Sequence, residues 1–441
     1  MKETIKQLIH EFQEWEIPKP FARQIVIPDL PLKLRKAQVF VGMRRTGKTW
    51  LMYQQMWSLL GQGWKKSQLL YLNFEDDRLA QFTHNDFQSI LDAYYETNPA
   101  TNGRETAFFF DEIHVIEGWE KFIRRLVDQE KMQIYITGSS ARMLSREIAT
   151  NLRGRSWSQE VFPFNFSEFA SFNGIQTDSK LTSKTSAHLR NLAQKYLLLG
   201  GFPETLFLPH DYHSALLQNY INTVVYRDVL ERYNISNVHA VKTFLLYCLK
   251  QLAAPFSITK LYQSLKSQGI AIGKNSLFEY LEYFEDAYAL FAVPIYHFSE
   301  KVRQVNPKKL YSIDPGIICA YSIKQSFERA AQLENAVFIA LRHIYKEIYY
   351  YKTENNKEID FIAIARNGER FCYQVCWDMS DEKTRKRELA AIIEAAAELG
   401  LKEATIITED YQELTTESDI TISCIPYWKW AFTFNAVQYP E

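Results

Sequence analysis

The chain has 441 residues, of which 46% are hydrophobic and 15% aromatic, and its formal net charge is −1. This length predicts about two to four domains. The balanced charge excludes a basic field over the whole surface, so any nucleic-acid site must be a local patch. Five cysteines without C-x-x-C spacing predict reduced thiols and a cytoplasmic protein. Residues 1–6 begin a polar amphipathic helix rather than a signal peptide, and no apolar run reaches the roughly 20 residues of a membrane span.

A phosphate-binding loop follows the first apolar strand pattern. Residues 37–41 read as a buried strand, and residues 50–57 as a helix whose N-terminus would point at phosphates. The segment between them fits the pattern G-x-x-x-x-G-K-[ST]. Lys48 is expected to reach the β- and γ-phosphates and Thr49 to hold Mg²⁺. The predicted nucleotide-binding residues are Gly42, Arg45, Thr46, Gly47, Lys48, Thr49 and Trp50.

Two acidic residues end a later apolar run. Residues 69–74 and 107–110 read as the next two strands, and the second of them leads into Asp111 and Glu112, the Walker B arrangement. Asp111 is expected to hold the Mg²⁺ shell, and Glu112 to polarise the attacking water. Because this pair comes about 60 residues after the loop, we favour this interpretation over an ordinary strand end with a solvated turn.

A fourth strand pattern, residues 133–137, brings hydroxyl groups to the same edge of the predicted sheet. Ligands bind at the carboxyl ends of parallel strands, so Thr137 or Ser139 can sense nucleotide hydrolysis beside the γ-phosphate. The alternative is a serine that caps a helix starting at residue 141, and Ser140 is better placed for that role.

The segment Leu152-Arg153-Gly154-Arg155-Ser156 either offers an arginine to a neighbouring subunit's γ-phosphate or carries two solvated surface arginines. Together with the loop, the Walker B pair and residues 137–140, this segment resembles the AAA+ ATPases. Its spacing is similar to that of their helicase-loader and Holliday-junction-motor branches. The resemblance implies ATP as the nucleotide, a ring of about six subunits, and Arg155 as the arginine finger that acts in trans, with Arg153 as the second choice.

The same resemblance implies a small helical lid, which we assign to residues 161–236. Such a lid often carries a sensor-2 arginine after a Gly-x-Pro step. Here residues 200–204 read Gly-Gly-Phe-Pro-Glu, so Glu204 stands where the arginine is expected. Arg227 is a candidate substitute, and an Arg227–Asp228 pair on a surface helix is the equal alternative.

Residues 237–305 resemble a winged helix-turn-helix. Helix patterns at 241–252, 258–266 and 274–289 precede a ribbon at 290–297. The third helix would read a DNA groove, and its leading polar residues are Lys274, Asn275 and Ser276. Basic residues after the ribbon either contact phosphates or form a solvated loop; they are Lys301, Arg303, Lys308 and Lys309. Winged helices also bind proteins, an alternative favoured by the acidic residues of the third helix, Glu279, Glu282, Glu285 and Asp286.

Residues 306–441 resemble the restriction-endonuclease-like fold. That family's site implies a helix Glu, a strand Asp and a Glu-x-Lys, where carboxylates bind Mg²⁺ and the lysine positions water. Glu334 and Asp360 match the first two positions, but the third reads Gln374-Val375-Cys376. An amide therefore replaces one ligand and a thiol replaces the lysine, which predicts a degenerate nuclease. Cys372 and Cys376 face one side of a strand, and we interpret them as buried thiols rather than as metal ligands.

These patterns predict an α/β chain in four parts: a P-loop AAA+ parallel sheet (1–160), a helical lid (161–236), a winged helix (237–305) and an α/β nuclease-like domain (306–441). The expected function is hydrolysis of ATP with Mg²⁺ by an oligomeric motor that acts on DNA, with branched DNA as one candidate. The expected catalytic residues are Lys48, Glu112, Arg155 and Thr137, and the expected metal ligands are Thr49 and Asp111. One alternative is a nucleotide-dependent switch that binds protein partners. The other is an active nuclease with a motor, which Gln374 and Cys376 argue against.

Overall fold

The computed structural model describes residues 1–101, 105–129, 132–139, 152–176, 179–270, 272–321 and 329–434. The chain divides into two compact units, Met1–Phe162 and Pro163–Glu441. Within the described ranges, none of the helices combines the length and the apolar character that a membrane crossing requires.

The first unit is built on a parallel sheet of five strands. They are β1 (Ala37–Val41), β2 (Leu69–Asn73), β3 (Thr106–Asp111), β4 (Met132–Gly138) and β5 (Ser156–Glu160). The order across the sheet is β2-β3-β4-β1-β5, and all paired strands are parallel. Every residue of β1 and β3 is buried, as expected for a parallel sheet covered on both faces. The prediction of an α/β fold with a parallel P-loop sheet is therefore confirmed, although β5 was not predicted.

Among the described residues of the first unit, the α-helices that accompany this sheet are Lys2–Glu14, Lys48–Gly61, Phe87–Thr97 and Trp119–Gln129. The N-terminal helix packs on β2 and on the helix Phe87–Thr97. Because β1, β3 and β4 run in the same direction, the residues that follow them lie at one edge of the sheet. That edge carries the phosphate-binding loop, the Walker B pair and Thr137.

The second unit begins with helices. These are Phe166–Phe172, Ser183–Leu199, His213–Thr223, Val238–Leu249, Ile258–Ser267 and Lys274–Asp286, with a π-helical segment at Val224–Glu231. A small antiparallel sheet is formed by β6 (Pro255–Phe256), which precedes the helix Ile258–Ser267, and by β7 (Leu290–Val293) and β8 (Lys308–Ser312), in the order β6-β8-β7. The helix Glu300–Val305 lies between β7 and β8, and β8 begins three residues beyond the predicted boundary at 305.

A mixed six-stranded sheet completes the second unit, in the order β13-β14-β12-β11-β10-β9. Its strands are β9 (Glu347–Lys352), β10 (Glu358–Ile364), β11 (Arg370–Cys376), β12 (Glu403–Thr408), β13 (Glu413–Glu417) and β14 (Ile420–Pro426). The helix Glu382–Glu398 packs on one face, and the helices Arg329–Ile344 and Tyr427–Phe434 pack on the other. Cys372 and Cys376 lie in the core beneath Glu382–Glu398, which confirms the prediction of buried strand cysteines. All five cysteines are free thiols.

Candidate functional site

The phosphate-binding loop has a backbone that requires glycine at two positions. Gly42 has φ +155°, and a Cβ there would lie 2.2 Å from the carbonyl oxygen of Val161. Gly47 has φ +96° and forms the N-cap of the following helix. Arg45 is exposed and also has positive φ, +69°. The loop is thus held in the left-handed conformations that turn successive N–H groups toward one side.

Lys48 is the first residue of the helix, and its side chain folds back over the loop. Its ammonium donates to the carbonyl oxygens of Gly42 and Met43, both at 3.1 Å. The Nζ atom also lies 3.8 Å from Oε1 of Glu112. Lys48 is only 5% exposed, so its charge is fixed beside the loop rather than free in solvent.

Asp111 is joined to the loop by a hydroxyl group. Its Oδ2 accepts hydrogen bonds from Thr49 Oγ1 at 2.8 Å and from the Tyr71 hydroxyl at 2.9 Å, and its Oδ1 accepts from Thr137. Burial raises the pKa of this carboxyl, the charge of Glu112 adds to the rise, and the three hydroxyl donors oppose it. Thr49 and Asp111 offer oxygen ligands, and Mg²⁺ is commonly held by one or two carboxylates plus substrate phosphates, so this donor set fits Mg²⁺.

The backbone of Glu112 is bonded to Thr137, and its carboxylate lies near His114. Its backbone has φ +51°, its amide donates to Thr137 Oγ1 at 2.8 Å, and its Oε2 lies 3.2 Å from Nδ1 of His114. The Thr137 hydroxyl therefore accepts from Glu112 and donates to Asp111, so that it connects the two acidic residues. Sequence reasoning expected Thr137 beside the γ-phosphate and missed both Tyr71 and His114.

Arg155 lies at the opposite edge of the sheet from its own phosphate-binding loop. It precedes β5, whose first residue pairs with Ala37 at the start of β1. Its Nε donates to Asp128 Oδ1 at 2.6 Å, and both side chains are about one-third exposed. Arg153, two residues earlier, is exposed with φ +48°. Ser140 and the predicted helix after it lie outside the described residues.

Arg23 is a buried cation that sequence reasoning did not single out. It is 7% exposed, and its guanidinium donates to the carbonyl oxygens of Thr46 at 3.1 Å and Phe162 at 2.9 Å. Its backbone amide donates to Gln54 at 2.7 Å. The segment around Arg23 is thus bonded to the loop and to the helix that follows the loop.

The candidate sensor-2 residues of the second unit have other contacts. Glu204 accepts a hydrogen bond from the Tyr220 hydroxyl, and Arg227 is 66% exposed and pairs with Glu231 at 3.1 Å. The amide of Gly201 donates to the buried Asp314 at 2.6 Å. The Gly-Gly step therefore serves an internal contact, because a Cβ on Gly200 would collide with this carboxylate.

The helix Lys274–Asp286, predicted to be the third helix of a winged helix, presents only some of its acidic side chains to solvent. Lys274 and Asn275 are exposed and Ser276 is half-buried. Glu285 accepts from the Ala292 amide at 3.0 Å, and Asp286 accepts from the Tyr233 hydroxyl at 2.8 Å. Glu279 and Glu282 are exposed.

A carboxylate cluster surrounds Lys309 in the second unit. Its Nζ lies 2.7 Å from Glu334 Oε1, 2.8 Å from Asp360 Oδ1 and 3.2 Å from Glu358 Oε1, and Lys309 is 1% exposed. The prediction that Lys309 contacts phosphates is therefore wrong. The ammonium that we expected to be missing from this site is present, because β8 supplies it.

Gln374 is turned away from this cluster. Its Oε1 accepts from the Asp360 amide at 3.1 Å, and its Nε2 donates to Glu388 Oε2 at 2.9 Å. Within the described ranges, no set of three or more His, Cys, Asp or Glu side chains is grouped so as to hold a metal ion. The oxygen and the nitrogen of the Gln374 amide are thus both bonded to groups of the protein.

The loop, the Walker B pair and the parallel sheet define the first unit as a AAA-type P-loop domain, and a family model described as AAA domain matches residues 34–170. Two further models, both domains of unknown function (DUF8612 and DUF4143), match residues 190–327 and 330–430. The chain belongs to the same family as the uncharacterized protein MJ1544 of Methanocaldococcus jannaschii. The two are 33% identical over 423 residues, which cover 93% of this chain and 92% of that protein.

An uncharacterized protein of Haemophilus influenzae is 27% identical over 393 residues, covering 89% of this chain and 93% of its own length. Among solved structures, the Aeropyrum pernix ORC1 protein in complex with DNA matches with 11% identity and a TM-score of 0.29, covering 73% of this chain and 91% of that chain. PCH-2 of C. elegans matches with 14% identity and a TM-score of 0.23, and the match covers 48% of this chain and 50% of that chain. At these TM-scores the likenesses carry no argument about what this chain binds.

Proposed function

We propose that the chain is an ATPase that binds ATP with Mg²⁺ on its first unit. The observation that carries this proposal is the hydrogen bond between Thr49 and Asp111, 2.8 Å long, beside the buried ammonium of Lys48. It joins the phosphate-binding loop to the Walker B strand at one edge of the sheet. Thr49 and Asp111 would hold Mg²⁺, which neutralises developing charge on the phosphates, and Lys48 would contact the β- and γ-phosphates.

Glu112 is proposed to orient the attacking water. Its backbone is held by the hydrogen bond to Thr137, and its carboxylate lies 3.2 Å from His114 and 3.8 Å from Lys48. Thr137 would hold Asp111 and Glu112 in register, so that loss of its hydroxyl disturbs both the metal ligand and the base. The predicted sensing of the γ-phosphate by Thr137 would then pass through these two carboxylates.

Arg155 is proposed to act on the ATP of a neighbouring subunit. β1 and β5 are parallel, and Arg155 precedes the first residue of β5, whereas the loop follows the last residue of β1. Five strand residues span about 16 Å, so Arg155 is far from its own phosphates. This geometry supports an oligomer, and the resemblance to AAA+ ATPases supports a ring of about six subunits. Arg155 would exchange its contact with Asp128 for the γ-phosphate.

The second unit is proposed to act on DNA. The helices Val238–Leu249, Ile258–Ser267 and Lys274–Asp286 and the β6-β8-β7 sheet have the order of a winged helix, and the exposed Lys274 and Asn275 begin the last of these helices. Two of the acidic residues that argued against DNA contact, Glu285 and Asp286, are bonded internally. The six-stranded sheet is proposed to be a nuclease-like platform without cleavage activity. The cytoplasmic location also remains a proposal, which rests on the free cysteines.

ATP turnover with and without DNA tests this proposal. We expect turnover to rise with DNA, and forked and four-way junctions should be compared with duplex of equal length. Lys48→Ala should abolish turnover in every case. No stimulation by any DNA would exclude the DNA-coupled motor, and turnover that survives Lys48→Ala would exclude the P-loop as the site.

The second candidate is a nucleotide-dependent switch that binds protein partners. The exposed face of the third helix carries Glu279 and Glu282 beside Phe278, which is 47% exposed. An acidic surface with an exposed aromatic ring suits a protein better than a phosphate backbone. Slow turnover, retained nucleotide and a change of oligomeric state with nucleotide would favour this function over DNA work.

A further inference from the structure

Tyr71 reaches the Walker B pair from the edge strand of the parallel sheet. In the pairing of β2 with β3, Tyr71 lies opposite Phe109, and Asn73 lies opposite Asp111. Two strand residues span about 7 Å, and the tyrosine side chain covers that distance, so that its hydroxyl donates to Asp111 Oδ2 at 2.9 Å. A side chain of one strand therefore contacts the carboxylate at the end of the next strand.

Other aromatic rings hold the ring of Tyr71 in this position. The indole of Trp15, just after the N-terminal helix, stacks on it with ring centroids 6.1 Å apart, and Phe12 of that helix packs at the same separation. Tyr53, on the helix after the phosphate-binding loop, meets it edge-on at 5.8 Å. Rings in such arrangements attract each other beyond the effect of the area that they bury. Packing from two helices thus aims the hydroxyl at Asp111.

The hydrogen bonds of Asp111 fill most of the acceptor sites of its carboxylate. The two oxygens of a carboxylate offer about four lone-pair sites. Thr49 Oγ1 at 2.8 Å and the Tyr71 hydroxyl take the two sites of Oδ2, and Thr137 takes one site of Oδ1. Of the two donors to Oδ2, Thr49 is itself a proposed Mg²⁺ ligand and Tyr71 is not. The bond from Tyr71 should therefore orient the carboxylate whether or not the ion is present.

We propose that Tyr71 is a positioning residue of the Mg²⁺ site: its hydroxyl holds the Asp111 carboxylate in the orientation that binds the metal. This inference rests on the proposed ATPase function and adds to it a residue that lies outside both motifs. Groups that hydrogen-bond a metal ligand orient it, and loss of one lowers metal affinity by about 10- to 100-fold. The alternative is that Tyr71 only packs beneath the N-terminal helix, so that its ring matters and its hydroxyl does not.

Mn²⁺ binding to the full-length protein with ADP tests this proposal, measured by the loss of the free-ion electron paramagnetic resonance signal. Tyr71→Phe removes the hydroxyl and keeps the ring, and it should raise the dissociation constant of Mn²⁺ by about 10-fold or more. The affinity for ADP in excess EDTA should stay unchanged, because the loop is intact. Tyr53→Phe is the matched control: its hydroxyl lies 3.5 Å from that of Tyr71, and its loss should leave Mn²⁺ affinity unchanged.

ATP turnover as a function of Mg²⁺ concentration gives a second measurement. In Tyr71→Phe, the Mg²⁺ concentration for half-maximal turnover should rise by a similar factor, and excess Mg²⁺ should restore most of the parent turnover. A loss of turnover that excess Mg²⁺ does not restore would overturn the proposal. Parent-like Mn²⁺ affinity in Tyr71→Phe would also overturn it, and weak binding in Tyr71→Leu would then show that the ring alone is responsible.

Failure of the ATPase proposal would give a different result. If the parent protein with ADP binds no Mn²⁺, or if Asp111→Asn binds it as tightly as the parent, the metal site itself is wrong and the role of Tyr71 is wrong with it. If Asp111→Asn loses Mn²⁺ and Tyr71→Phe keeps it, the metal site stands and only the role of Tyr71 is overturned.

Discussion

The two carboxylate sites of this chain differ in the groups that donate hydrogen bonds to the aspartate. In the first unit, Asp111 accepts hydrogen bonds from hydroxyl groups such as those of Thr49 and Thr137, which leave its negative charge in place. In the second unit, Asp360 faces the ammonium of Lys309 at 2.8 Å. Both aspartates are buried on strands, at 3% and 7% exposure. Burial alone therefore does not distinguish them; the charge of the nearest donor does.

This difference indicates whether each site needs a cation from outside to balance its carboxylates. Hydroxyl donors orient a carboxylate without neutralising it, so the first site can accept Mg²⁺ and, as proposed, an arginine from another subunit. An ammonium orients the carboxylates and also neutralises part of their charge, so the second site is complete by itself. The first site should therefore depend on cations from outside, and the second should not.

The largest expected effect is at Arg155. Arg155→Ala should lower ATP turnover by about 10³-fold or more, the range for loss of an arginine finger, while ATP binding stays intact. Mixing Arg155→Ala with Lys48→Ala should restore part of the turnover, because some interfaces then combine an intact loop with an intact arginine. Parent-like turnover in Arg155→Ala would contradict the assignment. A large loss in Arg153→Ala alone would move the finger two residues earlier.

A smaller loss is expected at the residue proposed to orient water. Glu112→Gln should lower the turnover number by about 10²- to 10⁴-fold, as for loss of a general base. ATP affinity, measured by equilibrium binding, should change little, because Lys48 and Thr49 remain. Glu117→Gln, an exposed carboxylate five residues later, is the matched control and should leave turnover unchanged. Equal losses in both variants would show that the change in charge, not the position of Glu112, is responsible.

The parts of the first site that follow from sequence are those encoded in contiguous motifs. Gly42 to Thr49 and the Asp111–Glu112 pair need only a strand, a turn and a helix in order, and local patterns specify these. The strand β5 escaped prediction because its residues, Ser156–Glu160, lack a buried apolar run and are stabilised by pairing with β1. Arg23 and Tyr71 escaped because nothing near them in the chain marks their long-range contacts.

The second site shows the limit of motif reasoning more clearly. Glu334 and Asp360 were named from a family pattern, and the pattern also placed the lysine at residue 376. The ammonium instead comes from Lys309, on a different sheet, with no fixed spacing to either carboxylate. The only local signal was strand alternation, which separates Lys309 from the half-buried Lys308 but does not tell which of them is buried. Which face of β8 meets the mixed sheet is a tertiary property.

Removal of Lys309 should lower the stability of the protein more than removal of the loop lysine, Lys48. Lys309→Met should lower the free energy of unfolding by about 3–5 kcal/mol, because the buried Asp360 and the partly exposed Glu334 and Glu358 lose their common partner. Lys48→Met should cause a smaller loss, since the Lys48 ammonium bonds loop carbonyls and lies 3.8 Å from one carboxylate. Calorimetry of both full-length variants gives the comparison. Similar losses in the two would mean that the second site is no more self-contained than the first.

Asp314 extends the comparison to a buried carboxylate whose donors are backbone amides. It accepts from the amides of Gly201 at 2.6 Å and Gly316 at 2.8 Å, and burial raises its pKa to about 7 despite these bonds. The folded state therefore binds this proton more tightly than the unfolded state, whose pKa is near 3.8. The resulting stabilisation is complete below about pH 4 and is lost as the pH rises to about 7.

Within that pH window, Asp314 should change the free energy of unfolding by at most about 1.4 kcal/mol per pH unit. Above the window, its contribution should no longer change with pH. Urea unfolding of the parent and of Asp314→Asn between about pH 5 and 8 measures it, and the difference between the two isolates Asp314 from other acids such as Glu334, whose pKa is raised to about 8. Tyr427, which faces Asp314, has its pKa raised by burial and stays neutral throughout. If the free energy of unfolding has the same pH dependence in both proteins, the backbone amides keep Asp314 ionised. Two N–H donors would then hold a buried carboxylate in its charged form, as the ammonium of Lys309 does for Asp360.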